Sequence, residues 1–177
     1  MIRLFTALEI PAEIANRLED LQSGLPGARW IERENFHLTL RFMGDIPEPQ
    51  ADDLHAELWE VEAHPFEIQL EGIGQFGKAK PHAVWAGVRM TPELKQLQLR
   101  HEAAARRAGL DPEPRKFTPH VTIARCRGAD PVDVMRYVTQ TNPFRPESFE
   151  VTEFVLFSSR AHQGGGPYVP ECVYPFR

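Results

Sequence analysis

The tetrapeptide His37-Leu38-Thr39-Leu40 has a second copy, His120-Val121-Thr122-Ile123, later in the chain. Successive side chains of a β-strand point to opposite faces, so the His and Thr of each copy share one face while the apolar residues share the other. The pattern therefore predicts two strands that each present one imidazole and one hydroxyl above a core. If both copies face one cleft, they supply an acid, a base and two hydroxyl donors, which is the equipment that metal-free phosphoryl chemistry requires.

The predicted elements around the two copies follow the same order: strand, helix, motif strand, helix, strand. Hydrophobic periodicity and turn residues predict strands at 2–8, 36–43, 66–70, 83–88, 119–125, 149–157 and 168–174, and helices at 12–24, 51–63, 92–108 and 132–139. Three glycines at residues 164–166 predict a loop. The order indicates a weak internal duplication, about 1–75 and 80–160, inside one domain of residues 1–177, with one motif on each side of a central cleft.

Length and composition limit the classes of protein that this chain can belong to. With 177 residues, of which 42% are hydrophobic, the chain is long enough for one domain with a proper core. Its net charge of −5 excludes a basic stripe that wraps nucleic acid, so we expect any RNA or nucleotide to be held locally. Cys126 and Cys172 are too few for a disulfide framework or a common zinc site, and we expect free thiols. We also expect a cytoplasmic protein without a membrane segment, because no apolar stretch is long enough for a signal peptide or a span. We expect it to be a monomer.

Two histidines facing one cleft suit the hydrolysis of a ribose 2′,3′-cyclic phosphate. This reaction needs a base for the attacking water and an acid for the departing ribose oxygen, on opposite sides of phosphorus. Histidine titrates near neutral pH, so one ring can be neutral while the other is protonated. Thr39 and Thr122 can donate hydrogen bonds to the non-bridging oxygens. We predict no metal, because the sequence lacks the His-Glu-x-x-His spacing of zinc enzymes. We also predict no cofactor.

Both motifs and three further segments resemble one family. Residues 36–44 and 119–125 look like the paired motifs of the two-histidine phosphoesterases, and they are most similar to the RNA 2′,3′-cyclic phosphodiesterases, also called 2′-5′ RNA ligases. Residues 3–11, 84–88 and 154–160 look like family segments in the expected order, so the resemblance extends over nearly the whole chain. The resemblance implies an α+β fold that is bilobal, with two pseudo-symmetric lobes whose antiparallel sheets line a central cleft and whose helices lie outside.

The resemblance also implies an activity and a set of roles. It implies hydrolysis of RNA 2′,3′-cyclic phosphate termini to 2′-phosphomonoesters without a metal. In that scheme His37 is the acid, His120 is the base, and Thr39 and Thr122 bind the phosphate. The residues alone leave open which histidine is the acid. The implied partner is an RNA with a cyclic phosphate end, such as a tRNA half, or a small nucleotide.

Three more residues are candidates for substrate binding. Arg125 matches a family position that contacts phosphate, but it lies five residues after His120 and should face away unless the strand ends or bulges there. Arg41 shares the parity of His37 without an equivalent family match. Phe42 has the same offset from His37 that Arg125 has from His120, so it either stacks on a base or packs in the core.

Three alternative functions fit the same residues. The site could join RNA halves through a 2′-5′ bond, since ligation is the same step with a ribose hydroxyl in place of water. It could instead act on small cyclic nucleotides, which the acidic balance of the chain permits. The third alternative is a non-catalytic module that binds RNA ends, although both histidines and both threonines are intact.

Overall fold

The computed structural model describes residues 1–159 and 167–177. The loop predicted at residues 164–166 lies outside the described residues. The elements in chain order are β1 (Ile2–Glu9), α1 (Ala12–Glu19), β2 (Arg29–Trp30), a 3₁₀ turn (Arg33–Asn35), β3 (His37–Ile46), α2 (Glu48–Trp59), β4 (Phe66–Ile68), β5 (Leu70–Phe76), β6 (Ala83–Val88), α3 (Pro92–Arg107), β7 (His120–Arg125), α4 (Pro131–Thr141), β8 (Phe149–Val151), β9 (Glu153–Ser159) and β10 (Tyr168–Pro175).

Helix boundaries follow local capping chemistry. Thr91 caps α3 by accepting a hydrogen bond from the backbone N–H of Leu94 at 3.2 Å, and Pro92 occupies the first helical position, where its missing N–H costs nothing. Helix α1 ends at Glu19, five residues earlier than predicted. The chain turns away there because the Gln22 amide donates to the carbonyls of Ile31 at 2.7 Å and Ile123 at 3.0 Å.

The sequence pattern failed to predict two strands, the two-residue β2 and the longer β5. The predicted strand at 66–70 divides into β4 and β5, and β5 continues to Phe76. Gly72 and Gly74 interrupt the alternation of side chains that would have revealed it. Gly74 has a packing reason, because a Cβ there would lie 2.4 Å from the Trp85 ring on the neighbouring strand.

The strands form antiparallel sheets, and the fold is α+β as predicted. The first sheet has the order β10-β9-β1-β3, the second sheet has the order β2-β7-β6-β5, and β4 pairs with β8. Each motif strand therefore lies in a different four-stranded sheet. Strands from the chain terminus, β9 and β10, complete the sheet of β1 and β3, whereas β2 joins β7. The division into repeats at about 1–75 and 80–160 stays a prediction.

Strand β3 carries a bulge that reverses its faces midway. Thr6 of β1 lies opposite Arg41, but the next residue of β1 lies opposite Thr39, so Leu40 is the extra residue. Leu40 and Arg41 are consequently both buried, with exposed fractions of 2% and 5%. The residue after them, Phe42, returns to the face of Thr39.

Strand β7 carries the same bulge at the same place in its motif. Val84 of β6 lies opposite Ala124, but the next residue of β6 lies opposite Thr122, so Ile123 is the extra residue. Ile123 and Ala124 are both fully buried. The bulge returns Arg125 to the face of Thr122, so the alternation that would turn Arg125 away does not continue past Ile123.

The apolar residues of both motifs lie in the main core, as the alternation predicted. Leu38, Leu40, Val121 and Ile123 each expose 2% or less of their surface. Buried residues of the helices complete this core, namely Ile14, Leu18, Leu54, Leu58, Leu94, Leu97 and Val134. The polar side chains of both motifs are thus held on strands whose other face is fully packed.

Candidate active site

Both motif histidines are fixed by the same backbone contact. The Nδ1–H of His37 donates to the carbonyl of Asn35 at 2.8 Å, and the Nδ1–H of His120 donates to the carbonyl of Thr118 at 2.6 Å. Because a carbonyl can only accept, each contact assigns the proton to Nδ1. The Nε2 atom of each ring therefore remains available to a ligand, and the two histidines have the same tautomer when neutral.

Aromatic side chains from other strands of the two sheets hold the two imidazoles in place. The His37 ring centroid lies 4.9 Å from that of Phe5 and 5.0 Å from that of Tyr168, the latter in an edge-to-face contact. The His120 ring makes an edge-to-face contact with Phe76 at 4.8 Å. These packing contacts restrict ring rotation and also reduce the access of water.

The two histidines line one cavity, which we call the histidine cavity. Its volume is about 310 Å³. Four other predicted site residues line it as well, namely Thr39, Thr122, Arg125 and Phe42. The structure thus brings together six of the seven residues that the sequence singled out.

The environment of the histidine cavity favours neutral imidazoles. Burial lowers the pKa of His37 to about 4, although the hydrogen bond to Asn35 acts in the opposite direction. Burial also lowers the pKa of His120, and here the hydrogen bond to Thr118 opposes it. The positive charge of Arg125 lowers both pKa values further. A bound anion would reverse this charge effect and favour the imidazolium form.

Arg125 offers the cavity a positive charge with unused hydrogen-bonding capacity. Its Nε is buried and has no hydrogen-bond partner within residues 1–159 and 167–177. Buried N–H groups in proteins nearly always have an acceptor. An oxyanion in the histidine cavity is the acceptor that the lining of this cavity suits.

Arg41 is the predicted site residue that the structure keeps away from the histidine cavity. The alternation that gave it the face of His37 is interrupted by the bulge at Leu40. Its Nε instead donates to Glu102 at 2.6 Å, and its other nitrogens donate to the carbonyls of Phe42 and Asp111 at 2.6 Å each. This guanidinium is committed to protein acceptors, and substrate binding by Arg41 stays a prediction without geometric support.

Other residues reach the histidine cavity from strands outside the two motifs, and no local sequence pattern predicts them. Phe5 on β1 and Tyr168 at the start of β10 line the cavity beside His37, and Arg3, which pairs with Asp45 at 2.9 Å, lines it as well. Their positions depend on strand order, which local sequence patterns do not predict. The strand predicted at residues 2–8 and the family resemblance of residues 3–11 do not by themselves place Phe5 beside His37.

Other structural facts bear on metals, membranes and thiols. Across the described ranges, no three His, Cys, Asp or Glu side chains gather in a way that could hold a metal ion. In the same ranges, no helix has the length and apolar character needed to cross a membrane. Cys126 and Cys172 are free thiols, as predicted.

Comparisons with known proteins identify the family of this chain. A model of the 2′-5′ RNA ligase superfamily matches residues 10–163. The protein named RNA 2′,3′-cyclic phosphodiesterase of Escherichia coli (strain K12) is 31% identical over 172 residues, which cover 95% of this chain and 93% of that protein. The protein of the same name from Aquifex aeolicus (strain VF5) is 32% identical over 173 residues, with 94% and 91% covered. A crystal structure of E. coli LigT complexed with 3′-AMP matches with a TM-score of 0.80 and 28% identity, covering 99% of this chain and 98% of that one.

Proposed function

The chain belongs to the 2′-5′ RNA ligase superfamily, and from that premise we propose that it hydrolyses 2′,3′-cyclic phosphates at RNA ends to 2′-phosphomonoesters. The observation that carries the proposal is the pair of imidazoles with identical Nδ1 anchors in one cavity, beside two threonines and an arginine. The names of the relatives support the reaction class. The 3′-AMP in LigT supports a ligand with a phosphate on its ribose.

The proposed mechanism is an in-line displacement between the two Nε2 atoms. His120 removes a proton from water, whose oxygen forms a new bond to phosphorus. The bond from phosphorus to O3′ breaks, and His37 gives its Nε2 proton to the departing O3′, which leaves the phosphate on O2′. His120 then releases its proton to solvent and His37 regains one. Each positioned proton transfer contributes roughly 10²–10⁴-fold to the rate.

The remaining polar residues hold the charge of the phosphate. Thr39 and Thr122 donate hydroxyl hydrogen bonds to the non-bridging oxygens, where negative charge is concentrated. Arg125 gives its buried Nε–H to the same group as a charge-assisted hydrogen bond. A buried donor without an acceptor costs about 1–3 kcal/mol, so the bound phosphate removes that penalty from the folded state.

Substrate binding also prepares the acid. Both histidines have lowered pKa values and are therefore mostly neutral near pH 7. The negative phosphate raises the pKa of both rings when it enters. One imidazole then takes up a proton in the complex, and the acid is formed only where a substrate is present to use it.

The proposal extends to the organisation of the chain and its partners. We treat residues 1–177 as a single bilobal domain that acts as a monomer. The partner is an RNA with a 2′,3′-cyclic phosphate end, including tRNA halves, and no metal takes part. Hydrolysis is favoured over 2′-5′ ligation because water is in great excess over any ribose hydroxyl.

The test is product analysis with a short oligonucleotide that ends in a 2′,3′-cyclic phosphate, in the presence of EDTA. The wild type should yield a 2′-phosphate, whereas His37→Ala and His120→Ala should yield none. His64→Ala is the matched control, because His64 is exposed and outside the cavity, and it should behave as wild type.

Each alternative has its own signature in this experiment. Turnover that requires added metal would overturn the metal-free mechanism. A 2′-5′ joined product at low water activity would favour ligation. Tight binding of the oligonucleotide without turnover would establish a binding module, and turnover of cyclic mononucleotides alone would assign the activity to small nucleotides.

A further inference from the structure

A second cavity opens beside the histidine cavity and shares part of its wall. Both cavities are lined by Thr39, Phe42, Phe76 and His120. The second one has a volume of about 690 Å³, compared with about 310 Å³ for the first, and it continues along residues 113–118. We call it the side groove. A cyclic phosphate and its ribose belong in the histidine cavity, so the side groove is available to something else.

Aromatic rings line the side groove. Phe42 exposes 41% of its surface at the junction of the two cavities, although it lies on a strand whose other face is packed in the core. Phe117 and Phe76 are half-buried and line the groove as well. Exposed ring faces are the surfaces on which bases of single-stranded nucleic acid stack, independently of sequence.

The charge of the side groove is positive on a chain whose net charge is −5. Arg41 and Arg115 line the groove, but each has a carboxylate partner, Glu102 and Glu113 respectively. Lys116 is exposed and has no ion-pair partner in the described part of the chain. The groove therefore offers one uncompensated positive charge next to its aromatic rings, which matches an anionic backbone with bases.

We propose that the side groove binds the RNA chain on the 5′ side of its terminal nucleotide, with a base stacked on an aromatic ring of the groove and a phosphodiester near Lys116. This inference rests on the proposed function. A polymeric substrate has to leave the histidine cavity through an adjoining space, and the side groove adjoins it through four shared residues. It follows that an oligonucleotide should be a better substrate than a cyclic mononucleotide with the same terminal base.

The experiment compares kcat/KM for two substrates that end in the same nucleoside 2′,3′-cyclic phosphate, a mononucleotide and a tetranucleotide. The wild type should prefer the tetranucleotide by roughly tenfold or more, the size of effect that one stacked base produces. Lys116→Ala should lower the value for the tetranucleotide about three- to tenfold, and it should also reduce the dependence of that value on salt. The value for the mononucleotide should stay within about twofold of wild type, because Lys116 does not line the histidine cavity.

Two further variants separate binding from folding. Phe117→Leu keeps an apolar side chain against the core but removes the ring face, and it should also affect only the tetranucleotide. Lys95→Ala is the matched control, because this exposed lysine of α3 lines neither cavity, and it should change neither substrate.

The outcomes distinguish this inference from the proposed function. Equal kcat/KM values for the two substrates in the wild type would overturn the inference while leaving hydrolysis intact, and so would an equal loss on both substrates in Lys116→Ala. If neither substrate is hydrolysed, the proposed function fails. The groove is then judged by fluorescence anisotropy with a tetranucleotide ending in a 2′-phosphate, whose binding Lys116→Ala should still weaken and whose unchanged binding would overturn the inference.

Discussion

Strands β3 and β7 present the same His and Thr to one cavity and carry a bulge at the same point of the motif, but the bulge returns a different residue to that cavity. In β3 it returns Phe42, and in β7 it returns Arg125. The shared part of the two strands supplies a symmetric pair of imidazoles suited to proton transfer. The part that differs gives each side a separate binding task, an apolar ring on one and a positive charge on the other.

The strands also differ at the residue just before that one. Ala124 is a small core residue, whereas Arg41 is buried against Glu102 and the carbonyl of Asp111. Glu102 in turn accepts a hydrogen bond from the backbone N–H of Glu113 at 3.1 Å. Arg41 thus ties the bulge of β3 to helix α3 and to the segment that leads into β7. The residue at which the two strands differ therefore also links the two halves of the site.

The symmetric part of the comparison is tested by removing each imidazole in turn. His37→Asn and His120→Asn should each lower kcat by about 10²–10⁴, because each removes one of two proton transfers. The double variant should be little worse than either single variant, since residues that act as a unit are not additive. Single-turnover rates on a cyclic mononucleotide measure all three. A large loss of kcat in only one of the two single variants would contradict equal roles for the two histidines.

The asymmetric part is tested at the two residues that the bulges return. Arg125→Ala should lower kcat/KM on a cyclic mononucleotide about 10²–10³-fold, because it removes a donor to the phosphate. Phe42→Ala should lower it less than about tenfold on the same substrate. Arg125→Lys should recover part of the loss, since it restores the charge without the Nε–H geometry. Equal losses from Arg125→Ala and Phe42→Ala would remove the proposed division of tasks.

The sequence predicted the symmetric part of the site better than the asymmetric part, for a physical reason. Alternation alone identified the buried Leu38 and Val121 and the polar face above them, because a core-facing strand constrains every second residue. The bulge at Leu40 has no local marker such as glycine, so alternation assigned Arg41 to the wrong face. Tyr168 reaches His37 through strand order, which depends on pairing between distant parts of the chain.

The ion pair between Arg41 and Glu102 should contribute to the free energy of unfolding. Arg41→Ala leaves Glu102 without its cation in a largely buried place, where breaking one partner of an ion pair typically costs about 3–5 kcal/mol of unfolding free energy. Urea unfolding at pH 7 measures it. Arg107→Ala is the control, because its ion pair with Glu57 is exposed and should contribute less than about 1 kcal/mol. A change within 1 kcal/mol for Arg41→Ala would show that the bulge of β3 is held by packing alone.

The smallest expected effect is a shift of the pH optimum, and it depends on Arg125, the charge that β7 brings to the histidine cavity. Burial and the charge of Arg125 lower the pKa values of both histidines, that of His37 to about 4. Since one ring must be neutral and the other protonated, kcat/KM against pH should be bell-shaped with its optimum below 6.5. The positive charge of Arg125 disfavours both imidazolium forms, so Arg125→Gln should raise both pKa values and move the optimum to higher pH.

Profiles from pH 4 to 8.5 measure the shift, and Phe42→Ala, which removes no charge, should leave the optimum in place. A flat profile would contradict the pair of histidines, whereas an optimum that Arg125→Gln leaves unmoved would show that burial alone sets both pKa values and that the charge of β7 acts on the phosphate only.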